Sequence, residues 1–233
     1  MTRLVDHLLV LLLVLVVPVA TARGYRAFVR DVQGGDATAR LREYRHTLVL
    51  EWSLCLIVMV WWWLAARSPA ALGLVLPDGA RTLAGLGITV LVLALMVRQW
   101  RTIGRLEGAA LDPLRAQMAS VIDLIPHTET EFRWVQRVAV TAGICEEVLY
   151  RGFLIWYLQH FVPGWAAAIA GGAVFGLGHW YQGAAGVVKT GITGVLAGLL
   201  FTGTGSLLWP IILHTAVDLQ GGAIGRRLVT PVG

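Results

Sequence analysis

Two adjacent glutamates, Glu146 and Glu147, lie in a stretch that is otherwise apolar enough to enter a lipid bilayer, and Arg151 follows one helical turn later. A carboxylate near the bilayer centre costs on the order of 3 kcal/mol or more. On a helix, Glu147 and Arg151 are four residues apart and can meet, whereas Glu146 points about 100° away around the axis. We therefore expect one glutamate to be a paired ion and the other to face a cavity. The structural alternative is that the whole unit is a buried salt bridge.

Two later hydrophobic segments carry further polar groups at the same four-residue spacing. Phe175 precedes His179, and His214 precedes Asp218, so each pair lies on one helix face. Taken singly, His179 could be bonded to a neighbouring carbonyl, and His214 and Asp218 could form a structural pair. Taken together, the helix directions place all three motifs at a similar depth, which predicts one pocket open to the cytosol.

Such a pocket has the groups that hydrolysis needs. Glu146 is the predicted general base, acting on a water molecule that it holds jointly with His179. His214 is predicted to donate a hydrogen bond to the oxyanion that forms on an attacked amide, a contribution of ~3 kcal/mol. A Zn²⁺ site with Glu146, His179 and His214 as ligands is the rival arrangement. The sequence has no His-Glu-x-x-His motif, so the usual zinc-peptidase signature is absent. The preferred mechanism, with Glu146 and water, requires no cofactor.

The composition is that of a membrane protein. Of 233 residues, 57% are hydrophobic and 14% are charged, whereas soluble domains carry about a quarter charged residues. The net charge of +5 would also fit a nucleic-acid-binding protein. However, the arginines cluster in loops beside hydrophobic segments, as membrane topology requires, and we predict no nucleic-acid partner. The two cysteines lie in apolar segments and offer no disulfide framework.

Apolar runs long enough to span a bilayer predict an all-α fold: a polytopic membrane bundle of about seven transmembrane helices with juxtamembrane amphipathic helices. The predicted spans are residues 8–22, 48–66, 83–97, 134–158, 165–181, 187–202 and 207–224. The juxtamembrane helices are predicted at residues 36–47 and 112–125. Ala20-Thr21-Ala22 resembles a signal-peptidase site, but Asp6 spoils the positive start of a signal, and we expect the first helix to stay uncleaved.

Arginine placement predicts the orientation. The segments between spans one and two and between spans three and four are rich in arginine, and Arg226 and Arg227 lie near the end of the chain. The positive-inside rule then puts the N-terminus outside and the C-terminus in the cytosol of a multi-pass cell-membrane protein.

The three motifs, Glu-Glu-x-x-x-Arg, Phe-x-x-x-His and His-x-x-x-Asn/Asp, resemble in this order the CPBP family of intramembrane proteases, also called the ABI family. That family includes CAAX prenyl endopeptidases and bacteriocin-processing or immunity proteins. The resemblance covers roughly residues 130–222. We divide the chain into N-terminal transmembrane and cytosolic connecting helices (1–125), a CPBP-like catalytic membrane core (126–225) and a short tail (226–233).

The resemblance implies a helical membrane endopeptidase with its active site open to the cytosol. Its implied catalytic residues are Glu146, His179, His214 and Asp218, supported by Glu147, Arg151 and Phe175. Members are commonly called metalloproteases, although the glutamate-and-water mechanism needs no metal. The implied partners are membrane lipid and a peptide or lipopeptide substrate.

One departure from the family pattern concerns the last motif position, where prenyl-processing members mostly carry Asn and this chain has Asp218. An ionised Asp cannot donate to an oxyanion, so Asp218 is expected to orient His214 or to bind a cation. The departure argues against CAAX-specific activity. Two functions from other classes stay open: a proton-coupled membrane transporter, and a non-catalytic membrane immunity or scaffold protein.

Overall fold

The computed structural model describes residues 2–76 and 79–229, and all regular structure in these ranges is helical, as predicted. The helices within these ranges are α1 (Leu4–Gln33, with a π-helical turn at Leu12–Val16), α2 (Ala39–Leu64), α3 (Gly79–Ile103), α4 (Asp112–Met118), α5 (129–158), α6 (Gly164–Gly178), α7 (Gly183–Thr204) and α8 (Leu208–Val229). The predicted tail at 226–233 begins inside α8, and its last four residues lie outside the described ranges.

The prediction of about seven transmembrane helices is not confirmed. Four helical stretches of the described residues are long and apolar enough to cross a membrane, namely Leu4–Gln33, Ala39–Leu64, Gly79–Ile103 and Trp180–Thr204, and Gly164–Gly178 is a shorter apolar helix. Neither α5 nor α8 is among the four, because the charged and polar residues of the predicted site lower their hydropathy. Several apolar helices still make this a multi-pass membrane protein.

The first two helices form an antiparallel hairpin that is held at both ends. At one end, the buried carboxylate of Asp6 accepts hydrogen bonds from Arg67 at 2.6 and 2.8 Å and from Trp61 Nε1 at 2.8 Å. At the other end, Arg42 of α2 donates to Asp31 of α1 at 2.5 Å and to Asp36 in the connecting loop at 2.9 Å. Hydrogen bonds from Thr38 lower the pKa of Asp36 to about 2. The helix predicted at 36–47 begins at Ala39 and continues into α2 without a break.

The two arginine-rich segments meet at one end of the molecule. The Tyr25 hydroxyl donates to the Ser120 carbonyl at 2.8 Å, and Arg40 Nε donates to the Asp123 carbonyl at 2.8 Å. Arg227, at the end of α8, donates to the Gly104 carbonyl at 2.9 Å. We call this the basic end; it gathers the segments that the predicted topology assigns to the cytosol. The helix predicted at 112–125 is α-helical only to Met118 and continues as a 3₁₀ helix, Ala119–Leu124.

Glycines let α6 and α7 pack with their backbones in contact. A Cβ atom on Gly172 would collide with the backbone of Val195, and one on Gly176 would collide with the Val187 carbonyl and with Gly191. This small-residue packing is typical of membrane helices. It brings the backbone of α7 to within reach of the site: Arg151 Nη2 lies 3.5 Å from the Gly194 carbonyl.

Candidate active site

Helix α5 changes its winding where the paired glutamates lie. It begins with a capping box, in which the Thr128 hydroxyl accepts from the Glu131 amide at 3.1 Å and the Glu131 carboxylate accepts from the Thr128 amide at 2.9 Å. It is α-helical over Glu129–Glu146, π-helical over Glu147–Leu154 and α-helical again over Ile155–Leu158. The sequence pattern predicted an ordinary helix here. Because π-helical turns are rare and frequent at functional sites, the change of winding marks this segment.

Glu147 and Arg151 form a buried ion pair across the π-helical turn. Arg151 Nη1 donates to Glu147 Oε1 at 2.8 Å, and the two side chains are 3% and 0% exposed. The guanidinium carbon of Arg151 lies 4.2 Å from the ring centre of Phe175 on α6. The sequence spacing predicted this pair. The ring of Phe175 covers the guanidinium group of Arg151.

His214 joins α8 to both glutamates of α5. Its Nδ1 lies 2.7 Å from Glu147 Oε1, and its Nε2 lies 3.7 Å from Glu146 Oε2 and 3.5 Å from Asp218 Oδ2. Glu147 is paired with Arg151 and its carboxylate can only accept, so Nδ1 of His214 carries the hydrogen. Nε2 then points to the space between Glu146 and Asp218.

A single glycine allows α8 to come this close to α5. A Cβ atom on Gly143 would collide with both the backbone and the side chain of Thr215, the residue after His214. Further along the two antiparallel helices, Arg226 on α8 binds Glu129 at the start of α5, at 2.7 Å. The absence of a side chain at Gly143 therefore positions the His214 ring against Glu146 and Glu147.

His179 ends α6 and has one ring nitrogen committed. Its Nδ1 lies 2.9 Å from the Phe175 carbonyl, which can only accept, so Nδ1 carries the hydrogen and Nε2 is free to accept. The Phe175 ring lies between the two imidazoles, with ring centres 4.7 Å from His179 and 5.9 Å from His214. His179 lies within electrostatic range of Glu146. All seven residues singled out in the sequence thus lie in one cluster.

The side chains of the cluster become more exposed in one direction. Glu147 is fully buried, His214 and Glu146 are 15% and 18% exposed, and Asp218 is 38% exposed. Because Asp218 follows His214 on α8, which continues to Arg226 and Arg227, the cluster opens toward the basic end.

A Zn²⁺ ion held by this cluster stays a prediction. Within residues 2–76 and 79–229, no three His, Cys, Asp or Glu side chains are arranged to hold one. The alternative zinc set of Glu146, His179 and His214 requires three nitrogen and oxygen atoms directed at one point. The two histidines use only Nδ1 in these bonds, to Glu147 and to a backbone carbonyl, so both Nε2 atoms stay available as ligands.

Sequence reasoning missed two residues that belong to this environment. Glu51 on α2 interacts electrostatically with Glu146, Asp218 and His214. Tyr181 interacts with the same two acidic groups, and its ring centre is 5.9 Å from that of His179. Glu51 could have been found, since it is a carboxylate within the predicted span 48–66, the same signal that singled out Glu146. No sequence signal pointed to Tyr181.

Fold and cluster together define a class: a multi-pass helical membrane protein with acids and imidazoles enclosed between its helices. Residues 128–220 match the family model of the type II CAAX prenyl endopeptidase Rce1-like proteins, which confirms the resemblance drawn from the three motifs. The family is one of proteases, and the matched segment runs from the N-cap of α5 to just beyond Asp218. No curated protein and no solved structure matches the chain.

Proposed function

We propose that this protein is an intramembrane endopeptidase that hydrolyses membrane-associated peptides with a water molecule activated by Glu146. The observation that carries the proposal is the placement of His214, held by Glu147 through Nδ1 while Nε2 faces Glu146 at 3.7 Å. An acid and a fixed imidazole that share one space can act on the two sides of the same carbonyl. The protease family matched by this segment supports the reaction type.

In the proposed reaction, Glu146 removes a proton from water as the oxygen attacks the peptide carbonyl. His179 Nε2 accepts the second hydrogen bond of that water. The proton taken by Glu146 then passes to the leaving amine, so that the carboxylate is restored. His214 in its doubly protonated form donates from Nε2 to the oxyanion, while Glu147 keeps Nδ1 in place. No cofactor takes part.

Asp218 has a supporting role in this proposal. Its carboxylate lies 3.5 Å from His214 Nε2 and can only accept while it is ionised. It stabilises the doubly protonated imidazole electrostatically and does not itself bind the oxyanion. Prenyl-processing members of the family mostly carry Asn at this position, and Asp218 lacks the N–H donor of that amide. We therefore propose that the natural substrate is a membrane peptide or lipopeptide outside the prenylated CAAX class.

The proposed topology places the basic end in the cytosol, with the N-terminus outside. Both arginine-rich segments and the end of α8 gather there, as the positive-inside rule requires. Substrates would then enter from the cytosolic side, past Asp218.

The test compares wild-type protein with Glu146→Gln. Both are reconstituted in lipid vesicles together with a membrane-protein extract, and new peptide termini are identified by mass spectrometry. We expect a set of termini that wild type produces and the variant does not, with both proteins folded equally by circular dichroism. Identical sets of termini would refute the mechanism. Proton-coupled solute flux without any new terminus would instead support a transporter.

A further inference from the structure

Glu51 is a carboxylate in the apolar helix α2, outside the segment that matches the protease family. Two features fix the register of α2 against α5 around it. Trp52 Nε1 donates to the Thr141 hydroxyl at 3.2 Å, and Cys55 and Cys145 are buried in the same hydrophobic cluster. Since Glu51 and Cys55 are one turn apart and Cys145 directly precedes Glu146, the register places Glu51 beside the site.

The surroundings of Glu51 differ from those of the structural acids in this protein. Asp6 is bound by Arg67, and Glu147 is bound by Arg151. The interactions of Glu51 are with Glu146, Asp218, His214 and Cys55. A carboxylate that only stabilised the helix bundle would need a cationic partner, since burying an unpaired acid is costly. The electrostatic interactions of Glu51 are instead with the acids and the imidazole of the site.

One oxygen of Glu51 lacks a donor. Oε2 is buried, and no hydrogen-bond donor of the described residues reaches it. Buried carboxylate oxygens are rarely left without a hydrogen-bond donor, and each exception calls for an explanation. The proposed reaction brings in one donor that must reach this space, the water molecule that attacks the substrate.

We infer that Glu51 is a water-positioning residue of the active site, sharing with His179 Nε2, in a three-centre hydrogen bond, the hydrogen of the nucleophilic water that Glu146 does not remove. The inference rests on the proposed hydrolysis. It assigns a part of the reaction machinery to the N-terminal helices and not only to the family segment. His179 and Glu51 then flank the water from two sides, and Glu146 takes its proton.

The test uses the purified full-length protein and two substrates: a peptide identified by the comparison with Glu146→Gln, and a quenched fluorescent peptide ending in a prenylated CAAX sequence. Glu51→Ala is expected to lower kcat about 10- to 100-fold through misplacement of the water, with KM changed less than about twofold. Glu51→Gln keeps an accepting oxygen and is expected to retain most of the activity. Glu43→Gln is the matched control, since Glu43 lies two turns earlier on the same helix and interacts with Arg42 and His46.

Every outcome bears on the inference. A wild-type kcat in Glu51→Ala would overturn it, and so would a rise in KM as large as the fall in kcat. Failure of the isosteric Glu51→Gln to fold would also overturn it, because the carboxylate would then be structural. If wild type cleaves neither substrate, or Glu146→Gln cleaves as well as wild type, the proposed function itself fails.

Discussion

Replacing Arg151 by Met should strongly destabilise the protein. The substitution keeps most of the side-chain volume but leaves Glu147 fully buried with only its contact to His214, and Oε2 of Glu147 already lacks a donor. Removing one partner of a buried ion pair typically costs about 3–5 kcal/mol. At roughly 2–4 °C per kcal/mol for a chain of this size, the melting temperature should fall by roughly 6–20 °C.

A double variant separates the lost pair from lost packing. Glu147→Gln together with Arg151→Met removes both charges, so the unpaired carboxylate no longer contributes. We expect the double variant to lose about 1–3 kcal/mol less free energy of unfolding than the two single variants lose together. It should nevertheless be inactive, because His214 loses the ionised carboxylate that holds Nδ1. Thermal unfolding in detergent, followed by circular dichroism, measures the stabilities.

The control is an exposed pair with the same spacing on the same helix. Glu129 and Arg133 are four residues apart and their side chains are 55% and 70% exposed, so Arg133→Met should change the melting temperature little. If Arg151→Met is no more harmful than Arg133→Met, the buried pair is not what stabilises this turn. If the double variant loses the full sum of the single losses, the two side chains are not coupled, and the reasoning is wrong.

Three further predictions use other parts of the structure. Gly143→Ala should lower the free energy of unfolding by roughly 1–3 kcal/mol and lower peptidase activity, because the added Cβ would collide with α8. Gly87 has open space around it, so the control Gly87→Ala should be neutral or slightly stabilising in the same melting assay. Asp218→Asn restores a donor near the oxyanion and should raise kcat/KM for a prenylated CAAX peptide roughly 10-fold; an unchanged or lower value would contradict the role given to Asp218. Asp6 binds Arg67 from within α1, so intact-mass analysis of membrane-purified protein should find α1 retained, and cleavage after Ala22 would contradict this.

Local contacts of the site could be predicted from the sequence because spacing along one helix determines them. The Glu147–Arg151 pair and the approach of His214 to Asp218 follow from the four-residue spacing. The bond from His214 to Glu147 could not be predicted in the same way. It depends on how α8 is rotated against α5, and that rotation depends on the close approach at Gly143.

Two features of the helices were beyond sequence reasoning for physical reasons. The π-helical winding of Glu147–Leu154 has no composition signal, since it depends on which backbone carbonyl each amide reaches. The predicted count of about seven membrane spans is not confirmed, because hydropathy and function compete on α5 and α8. The polar residues that make these helices chemically useful also make them the least recognisable as spans.

The family match covers residues 128–220, but the hydrophobic core also includes residues from the helices before residue 128. Cys55, Val58 and Trp62 of α2 are buried in the same hydrophobic cluster as Cys145 and Val148 of α5. The side of α5 next to Glu146 is therefore packed against α2, and α2 carries Glu51. A reaction centre in a bilayer must be screened from lipid while it admits water. Here the N-terminal helices supply both the apolar screen and Glu51, one of the groups that hold the water.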